Sequence, residues 1–195
     1  MTFCHDIPNI LAKMRQRCTI SEQTAIALTA LLEPCSFRKG AVIIREGYTT
    51  GKAYFIENGM SRSYWIVDGE EITTSFSTEG SIIFSMDEMY YGTLSEEFVS
   101  AVEHIAAFSI AICDLKRIVH SNAELNQWWV SIHQDEYRRL HRSHKERLAL
   151  TAFERYREFR RQFPDVCRRA RQLDIASYLD ISPSTISRLR RRKLD

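Results

Sequence analysis

The chain reads QLDIASYLDISPSTISRLRRR from Gln172 to Arg192, and two short helical patterns meet within this stretch. Ile175 and Leu179 are four residues apart, so they lie on one face of a helix, with the small residue Ala176 beside them. Two short helices that meet at a tight turn need a small residue where they cross, and Ala176 occupies that place. Asp180 then falls in the turn, where the backbone is usually left-handed and Asp is tolerated.

A second helix begins directly after this break. Ser182 is a good N-cap, Pro183 suits the first helical position, and Ile186 with Leu189 starts a new apolar stripe. The spacing, the cap, the crossing residue and the basic exposed face together predict a helix-turn-helix whose second helix enters the DNA major groove. The alternative from the residues alone is a solvated helical hairpin with a basic tail.

The candidate DNA contacts are the polar and basic residues that lie off the second apolar stripe or next to it. They are Ser182, Ser184, Thr185, Ser187, Arg188, Arg190, Arg191 and Arg192.

The charge of the 195-residue chain is unevenly distributed, although its net value is only +2. Residues 1–136 contain 10 Lys and Arg against 18 Asp and Glu, whereas residues 137–195 contain 17 against 7. An acidic body followed by a basic last third indicates two modules, of which the basic one should attract a polyanion. Because the basic part coincides with the helix-turn-helix, nucleic acid is the favoured partner.

The N-terminal sequence, the apolar runs and the cysteines indicate where in the cell the protein is found. The N-terminus lacks the basic segment and apolar core of a secretory signal, and no run approaches the ~20 apolar residues of a membrane span. We therefore expect a cytoplasmic protein with no membrane partner. Its cysteines are scattered without close spacing, which indicates free thiols and argues against an iron–sulfur cluster; they are Cys4, Cys18, Cys35, Cys113 and Cys167.

The first half of the chain changes from helix to strand character. Residues from about Ile7 to Leu32 carry two helical stripes, with Ser21 as a cap between them and Pro34 as the stop. Glycines then separate short segments rich in β-branched and aromatic residues, which predicts an antiparallel barrel or double-sheet roll with a hairpin at Asp68-Gly69. The predicted strands are Ala41–Arg45, Ala53–Glu57, Ser61–Val67, Glu71–Phe76, Ser81–Phe84, Phe98–Glu103 and Ala106–Ile112.

Helical patterns return after Asp114. A long helix is predicted from about Ala123 to His144, and its apolar stripe makes it a candidate dimer seam. The alternative is a helix that packs back on its own roll. Another helix is predicted from about Glu146 to Phe163, before Pro164.

In this order, the elements resemble the Crp/Fnr superfamily of bacterial transcription regulators. The resemblance covers most of the chain. It rests on the motifs Phe37-Arg38-Lys39-Gly40, Ile44-Arg45-Glu46-Gly47, Tyr54-Phe55-Ile56-Glu57-Asn58-Gly59, Arg62-Ser63-Tyr64, Asp68-Gly69-Glu70-Glu71, Glu154-Arg155-Tyr156, Ile175-Ala176-Ser177-Tyr178-Leu179 and Thr185-Ile186-Ser187-Arg188.

The resemblance implies an α+β fold. It consists of an N-terminal antiparallel β-roll of the jelly-roll type flanked by helices, a long dimerisation helix, and a C-terminal winged helix-turn-helix. The implied domains are a cyclic-nucleotide-binding-like effector roll at 1–120, the dimerisation helix at 121–145, and the DNA-binding domain at 146–195. The link from Pro164 to Gln172 is short, so we expect a reduced wing.

The roll departs from the members that bind cyclic nucleotides. Those members resemble one another in a phosphate cassette, Gly-Glu followed later by an Arg that pairs with the phosphate. Here Ser81 follows Gly80, and Ser95-Glu96-Glu97 stands where the Arg would be expected. Because two carboxylates would repel a phosphate, we expect a divergent member that does not bind cyclic nucleotide. Residues of the same stretch are candidates to bind another, apolar or weakly polar small molecule, although plain core is the favoured interpretation of them: Phe84, Ser85, Met86 and Phe98.

The helix-turn-helix departs less from the family's pattern than the roll does. The family often has an Arg at the start of the second helix, and that position is Pro183 here. Arg188 matches the family's Arg one turn further along, which suits bidentate contact to guanine O6 and N7. Ser184 and Thr185 suit base edges or phosphates, and the three arginines from Arg190 to Arg192 suit phosphates.

An enzyme is the first rival interpretation, since rolls of this kind also serve as metal-dependent oxygenases and isomerases. Such sites need two or three histidines and a carboxylate that converge inside the barrel. Of the six histidines only His104 lies in the predicted roll, so we expect no catalytic site, no metal and no cofactor. His141 and His144 are three apart on a helix and could hold a metal, but solvated residues on a basic helix are the favoured interpretation.

The sequence thus favours a cytoplasmic, homodimeric transcription regulator that binds a palindromic operator on double-stranded DNA, with half-sites about 34 Å apart. RNA polymerase and an unidentified small-molecule effector are further candidate partners. The second rival is a ligand-sensing regulatory module with no DNA target, which would bind cyclic AMP or another small molecule.

Overall fold

The computed structural model describes residues 7–191, except for the side chains of Arg190 and Arg191. Its helices are α1 (Pro8–Arg15), α2 (Glu22–Thr29), α3 (Ile112–Ser121), α4 (Ala123–Ala149), α5 (Ala152–Gln162), α6 (Pro164–Arg169), α7 (Gln172–Leu179) and α8 (Pro183–Arg191), with a short π-helix at Asp87–Tyr91. Its strands are β1 (Glu33–Phe37), β2 (Val42–Ile44), β3 (Lys52–Asn58), β4 (Ser61–Val67), β5 (Glu70–Ser77), β6 (Ile82–Ile83), β7 (Phe98–Ala101) and β8 (Ile105–Ala111).

The strands form two four-stranded sheets, with the orders β1-β8-β3-β6 and β2-β7-β4-β5. The pairs β1–β8, β3–β8, β3–β6 and β2–β7 are antiparallel, and Tyr54 on β3 lies opposite Ser109 on β8. Each predicted strand overlaps one of β2 to β8. The antiparallel roll flanked by helices is therefore confirmed.

The described chain divides into two compact units. The first contains residues 7–63 and Phe76–Gln134, and the second contains Tyr64–Ser75 and residues 135–191. Strand β4 is shared between them, and the outer part of the β4–β5 hairpin belongs to the second unit. Asp68 and Gly69 in its turn have φ values of 52° and 83°, as the Asp-Gly pattern predicts.

The first unit has one core cluster inside the roll, formed by strands of both sheets, and another between the roll and its helices. Phe55 of β3 stacks on Trp128 of α4 with ring centroids 5.8 Å apart, and both side chains are buried. Ser21 caps α2 as predicted, because its hydroxyl accepts a hydrogen bond from the Thr24 amide at 3.2 Å. Glu124 at the start of α4 accepts from the Ser21 amide at 2.8 Å, which ties the two helix starts together.

Gly59 allows a close approach of two backbone segments in the first unit. Its φ is 107°, and a Cβ at this position would lie 2.5 Å from the carbonyl oxygen of His104. Only glycine fits both the conformation and the space.

The second unit combines the hairpin tip with the end of α4 and the four helices that follow. Its core includes buried Tyr156 and Phe159 of α5 and buried Ile175 and Leu179 of α7. Thr151 and Glu154 form a capping box at the start of α5, with reciprocal bonds of 3.3 and 2.8 Å.

Three local predictions differ from the structure. Pro34 lies within β1 rather than at a helix stop, since α2 ends at Thr29. Helix α4 extends to Ala149, five residues beyond the predicted end, and α5 starts at Ala152. The link predicted to hold a reduced wing forms helix α6, and the described chain has no strand after Ala111. Pro164 favours this outcome because it suits the first turn of a helix.

No helix among residues 7–191 is both long enough and apolar enough to cross a bilayer.

Candidate nucleic-acid interface

The helix-turn-helix forms where the sequence predicts it. The Ser182 hydroxyl accepts from the Thr185 amide at 3.2 Å, so Ser182 caps α8, and Pro183 takes the first helical position. Ile186 and Leu189 are buried. These contacts fix α8 with its apolar stripe inward and its polar side chains outward.

The turn between α7 and α8 depends on a left-handed residue. Asp180 has φ 53° and ψ 53°, the conformation expected for this position. The Ile181 amide then donates to the carbonyl of Ala176 at 3.1 Å, and the Ala176 side chain is buried as its place at the helix crossing predicts. Bonds of this kind satisfy carbonyls that the end of a helix leaves unpaired.

The outward face of α8 is a set of hydroxyls beside an arginine. Ser182 and Ser184 are exposed, and their hydroxyls lie 2.9 Å apart. Thr185 is half-buried and lies 2.8 Å from Ser182, while Arg188 is exposed and donates to the Thr185 hydroxyl at 3.3 Å. Ser187 is half-buried. The structure therefore brings together Ser182, Ser184, Thr185 and Arg188 on one polar surface.

Arg190 and Arg191 complete the backbone of α8, but their side chains lie outside the described residues, as does Arg192 entirely.

Ion pairing divides the described arginines of the second unit into two groups. Five of these pair with an acid three residues earlier or later along the chain: Arg138–Asp135, Arg139–Glu136, Arg161–Glu158, Arg168–Asp165 and Arg171–Asp174. The bond from Arg161, followed by that from Gln162, lowers the pKa of Glu158 to about 2. Within the described residues Arg188 forms no carboxylate pair, and the stretch from Ser182 to Lys193 contains five cations and no acid. Other described arginines of the unit also have no such pair, but only the stretch along α8 carries its positive charge with no acid nearby in the sequence.

Arg155 holds the end of α7 in place, a role that the sequence pattern did not indicate. Its guanidinium donates to the carbonyls of Leu179 at 3.1 Å, Asp180 at 3.2 Å and Leu150 at 2.9 Å. The capping box at Thr151 and Glu154 was a readable signal for the start of α5, but nothing local identifies distant carbonyls as partners of Arg155.

Arg171 and Asp174 form a second support at the start of α7. Asp174 is 3% exposed, and Arg171 donates to both of its carboxylate oxygens at 2.7 and 2.9 Å. The hydrogen bond to Asp174 raises the pKa of Arg171. This bidentate geometry adds orientation as well as energy.

The residues predicted for a small ligand have separate roles in the first unit. Phe84 is partly buried and lies 5.2 Å from Trp129 between ring centroids, so it joins the core. Ser85 is buried and accepts from the Glu88 amide at 3.3 Å, whereas Met86 is exposed and Phe98 half-buried. Their part in ligand binding stays a prediction.

The loop that replaces the phosphate cassette uses its polar groups internally. Ser95 is buried, and its hydroxyl donates to the Glu97 carbonyl at 3.0 Å. The Glu96 amide donates to the Asp87 carboxylate at 2.9 Å, which adds an acid to the two of the sequence motif.

An open cleft of about 440 Å³ lies beside Phe84 in the first unit, since Tyr90 and Trp129, which contact Phe84, line it. Its wall includes the buried apolar residues Met89, Leu115 and Val119. The aromatic ring of Trp129 and the positively charged side chain of Lys116 also line it. This volume is within the range of small-molecule sites. Among the described residues, no three His, Cys, Asp or Glu side chains are grouped so that they could hold a metal ion.

Solved structures share this architecture. The chain is similar to FixK2 from Bradyrhizobium japonicum, with a TM-score of 0.70, 19% identity and 83% of each chain covered. It is similar to a CooA mutant from Carboxydothermus hydrogenoformans, with a TM-score of 0.71, 18% identity, and 96% and 84% of the two chains covered. It is also similar to CLP of Xanthomonas campestris, a c-di-GMP responsive global regulator, with a TM-score of 0.65, 14% identity, and 93% and 90% covered.

The chain has the Crp/Fnr fold. The three proteins are regulators of that family rather than enzymes. The sequence itself matches no protein-family model and no curated protein. The Crp/Fnr fold is thus recognised through the arrangement of roll, long helix and helix-turn-helix, at identities below one fifth.

Proposed function

We propose that the protein is a cytoplasmic transcription regulator of the Crp/Fnr type that binds a palindromic operator as a homodimer. The observation that carries this proposal is the outward face of α8. It presents hydroxyls and an arginine without a carboxylate partner, on a helix that is capped at Ser182 and anchored by buried Ile186 and Leu189. A helix of this composition suits the major groove of DNA.

Arg188 is assigned to base recognition. Its side chain is exposed and donates through Nη2 to the Thr185 hydroxyl at 3.3 Å, which leaves its other N–H groups for guanine O6 and N7. Pro183 at the start of α8 offers no side-chain donor there, which concentrates base reading on Ser184 and Arg188. The arginines from Arg190 to Arg192 are assigned to phosphates, whose contacts position the protein without reading sequence.

A homodimer is supported by the unpartnered apolar side chains of α4. Tyr137, Leu140 and Leu148 are 73%, 53% and 76% exposed. Their separations of three and eight residues place them within about a quarter-turn of the helix at 3.6 residues per turn. A second copy of α4 would cover this stripe in a two-stranded seam. In size-exclusion chromatography with light scattering, the wild type should be a dimer and Leu140→Glu a monomer.

The proposal includes a roll that does not bind cyclic nucleotide. Glu96, Glu97 and Asp87 place carboxylates at the loop where a phosphate would need a cation. Titration calorimetry with cyclic AMP and cyclic GMP should give no binding heat, and micromolar binding of either would contradict this part of the proposal.

The alternative function, a ligand-sensing module with no DNA target, is favoured by one observation, the 440 Å³ cleft of the first unit. The deciding experiment selects bound sequences from a random duplex pool. The proposed regulator enriches a two-fold symmetric motif with half-sites about 34 Å apart, whereas a pure sensor enriches nothing.

Arg188→Ala tests the assigned reader. It should weaken binding to the selected duplex by about 1–3 kcal/mol and relax preference at one base pair in each half-site. Arg188→Lys is the matched variant, since it keeps the positive charge but loses the planar guanidinium that can donate two parallel hydrogen bonds. Equal weakening on every duplex would assign Arg188 to a phosphate instead.

A further inference from the structure

The outer part of the β4–β5 hairpin and helix α7 are joined by a side chain that takes the place of a neighbouring strand. The Ser177 hydroxyl of α7 donates to the Glu71 carbonyl of β5 at 2.8 Å and accepts from the Thr73 amide at 2.9 Å. Glu71 and Thr73 are two residues apart, so their backbone groups point to the same side of β5. One serine thus satisfies both an acceptor and a donor of the strand.

Strand β5 has an open edge, and the Ser177 contact lies on it. Strand β5 is the last strand of the order β2-β7-β4-β5, so one of its sides has no strand partner. Backbone groups on such an edge remain available to other partners. Here Ser177 occupies part of that edge, at Thr73, whose side chain is buried.

A second contact runs beside the first. Arg139 of α4 donates to the Tyr178 hydroxyl of α7 at 3.1 Å and to the Thr74 carbonyl of β5 at 3.5 Å. It is also paired with Glu136 through two bonds of 2.9 and 2.5 Å, which lock its guanidinium. Burial alone would lower the pKa of Arg139, but the bond to Glu136 and the nearby Tyr178 raise it overall, so the group stays charged.

We propose that the β4–β5 hairpin is part of the DNA-reading apparatus, with Ser177 and Arg139 as positioning residues that fix the orientation of α7 and thereby of α8. This inference rests on the proposed DNA-binding function. The two helices move together because Ala176 of α7 and Ile186 and Leu189 of α8 are buried at their packing surface. A recognition helix whose support is loosened loses base contacts, which depend on angle, more than phosphate contacts, which tolerate displacement.

The test compares Ser177→Ala with Ser177→Thr, which keeps a hydroxyl, and with Ser121→Ala, which removes the exposed serine hydroxyl that donates to the Ile118 carbonyl within α3 at 3.4 Å. Hydrogen exchange of the peptide that contains Thr73 reports the contact itself. Binding to a duplex selected by the wild type, and to a scrambled duplex of equal length, reports its consequence.

For Ser177→Ala we expect roughly tenfold faster exchange at Thr73 and roughly tenfold weaker binding to the selected duplex, with less than about twofold change on the scrambled one. Ser177→Thr and Ser121→Ala should resemble the wild type. Unchanged exchange, or faster exchange without loss of specific affinity, overturns the positioning role. If the wild type selects no sequence, the proposed function fails first, and the Thr73 exchange still shows whether the contact forms.

Discussion

Replacement of Arg155 by methionine should uncouple the end of α7 from α5, because methionine keeps much of the apolar stem but loses the guanidinium. Three hydrogen bonds disappear, those to the carbonyls of Leu150, Leu179 and Asp180 at 2.9, 3.1 and 3.2 Å. The side chain is half-buried, so we take the net value of an ordinary bond, about 1 kcal/mol, rather than the larger value of a charged one. Only the bonds to Leu179 and Asp180 hold α7, since Leu150 lies just before α5, so the expected loss is about 2 kcal/mol in the opening free energy of α7.

Hydrogen exchange of the α7 amides measures this opening free energy directly. A loss of about 2 kcal/mol corresponds to exchange roughly 30-fold faster. Arg157→Met is the matched control, since Arg157 lies on the same helix, is exposed, and contacts the Phe153 ring with its guanidinium carbon 5.8 Å from the centroid. An effect of Arg155→Met no larger than that of Arg157→Met would refute the reasoning that Arg155 fixes the turn.

Three further predictions concern the backbone and acid stability. Asp180→Gly should raise the free energy of unfolding of the second unit by roughly 0.5–1 kcal/mol in urea denaturation, because glycine adopts φ 53° without the steric cost; a decrease would mean that the Asp180 side chain contributes a stabilising contact. Gly59→Ala should destabilise the first unit by at least about 2 kcal/mol, since its Cβ would meet the His104 carbonyl at 2.5 Å; an unchanged melting temperature would contradict the close approach. The bonds that Glu124 accepts, first from the Ser21 amide, lower its pKa from 4.5, so their stabilisation is present above pH 4.5 and is lost as the pH falls through the lowered value. Glu124→Gln should flatten that acid dependence of the melting temperature, and identical profiles for the two proteins would exclude this contribution.

The elements that sequence predicts well are those with a local physical cause. Ser21 and Ser182 cap helices because the serine hydroxyl reaches an amide three residues ahead. Asp68-Gly69 forms a turn and Asp180 adopts the left-handed conformation because these residue types tolerate positive φ. Such features depend on a few adjacent residues, and they were sufficient to predict the roll, the hairpin and the helix-turn-helix.

The elements that sequence reasoning missed depend on distant partners. Strand β1 contains Pro34, which resembles a helix stop when read locally, yet Pro34 lies opposite Phe108 of β8 in the finished sheet. Proline is tolerated there because β1 is an edge strand. The same applies to the candidate site. Ser177 and Arg155 bond backbone groups more than 20 residues away, and no spacing rule identifies such partners.

The charge of the basic last third illustrates how structure changes the meaning of a sequence count. Residues 137–195 contain 17 Lys and Arg, a number that alone suggests an extended polyanion-binding surface. Arg161, Arg168 and Arg171 are nevertheless each paired with an acid within one helical turn, where their charge supports a helix rather than a ligand. On the polar face of α8, Arg188 is a cation whose side chain the structure describes, and it has no acidic partner of this kind. Under the proposed function, affinity for DNA depends on where acids are absent, and the sequence marks that place by the acid-free stretch from Ser182 to Lys193.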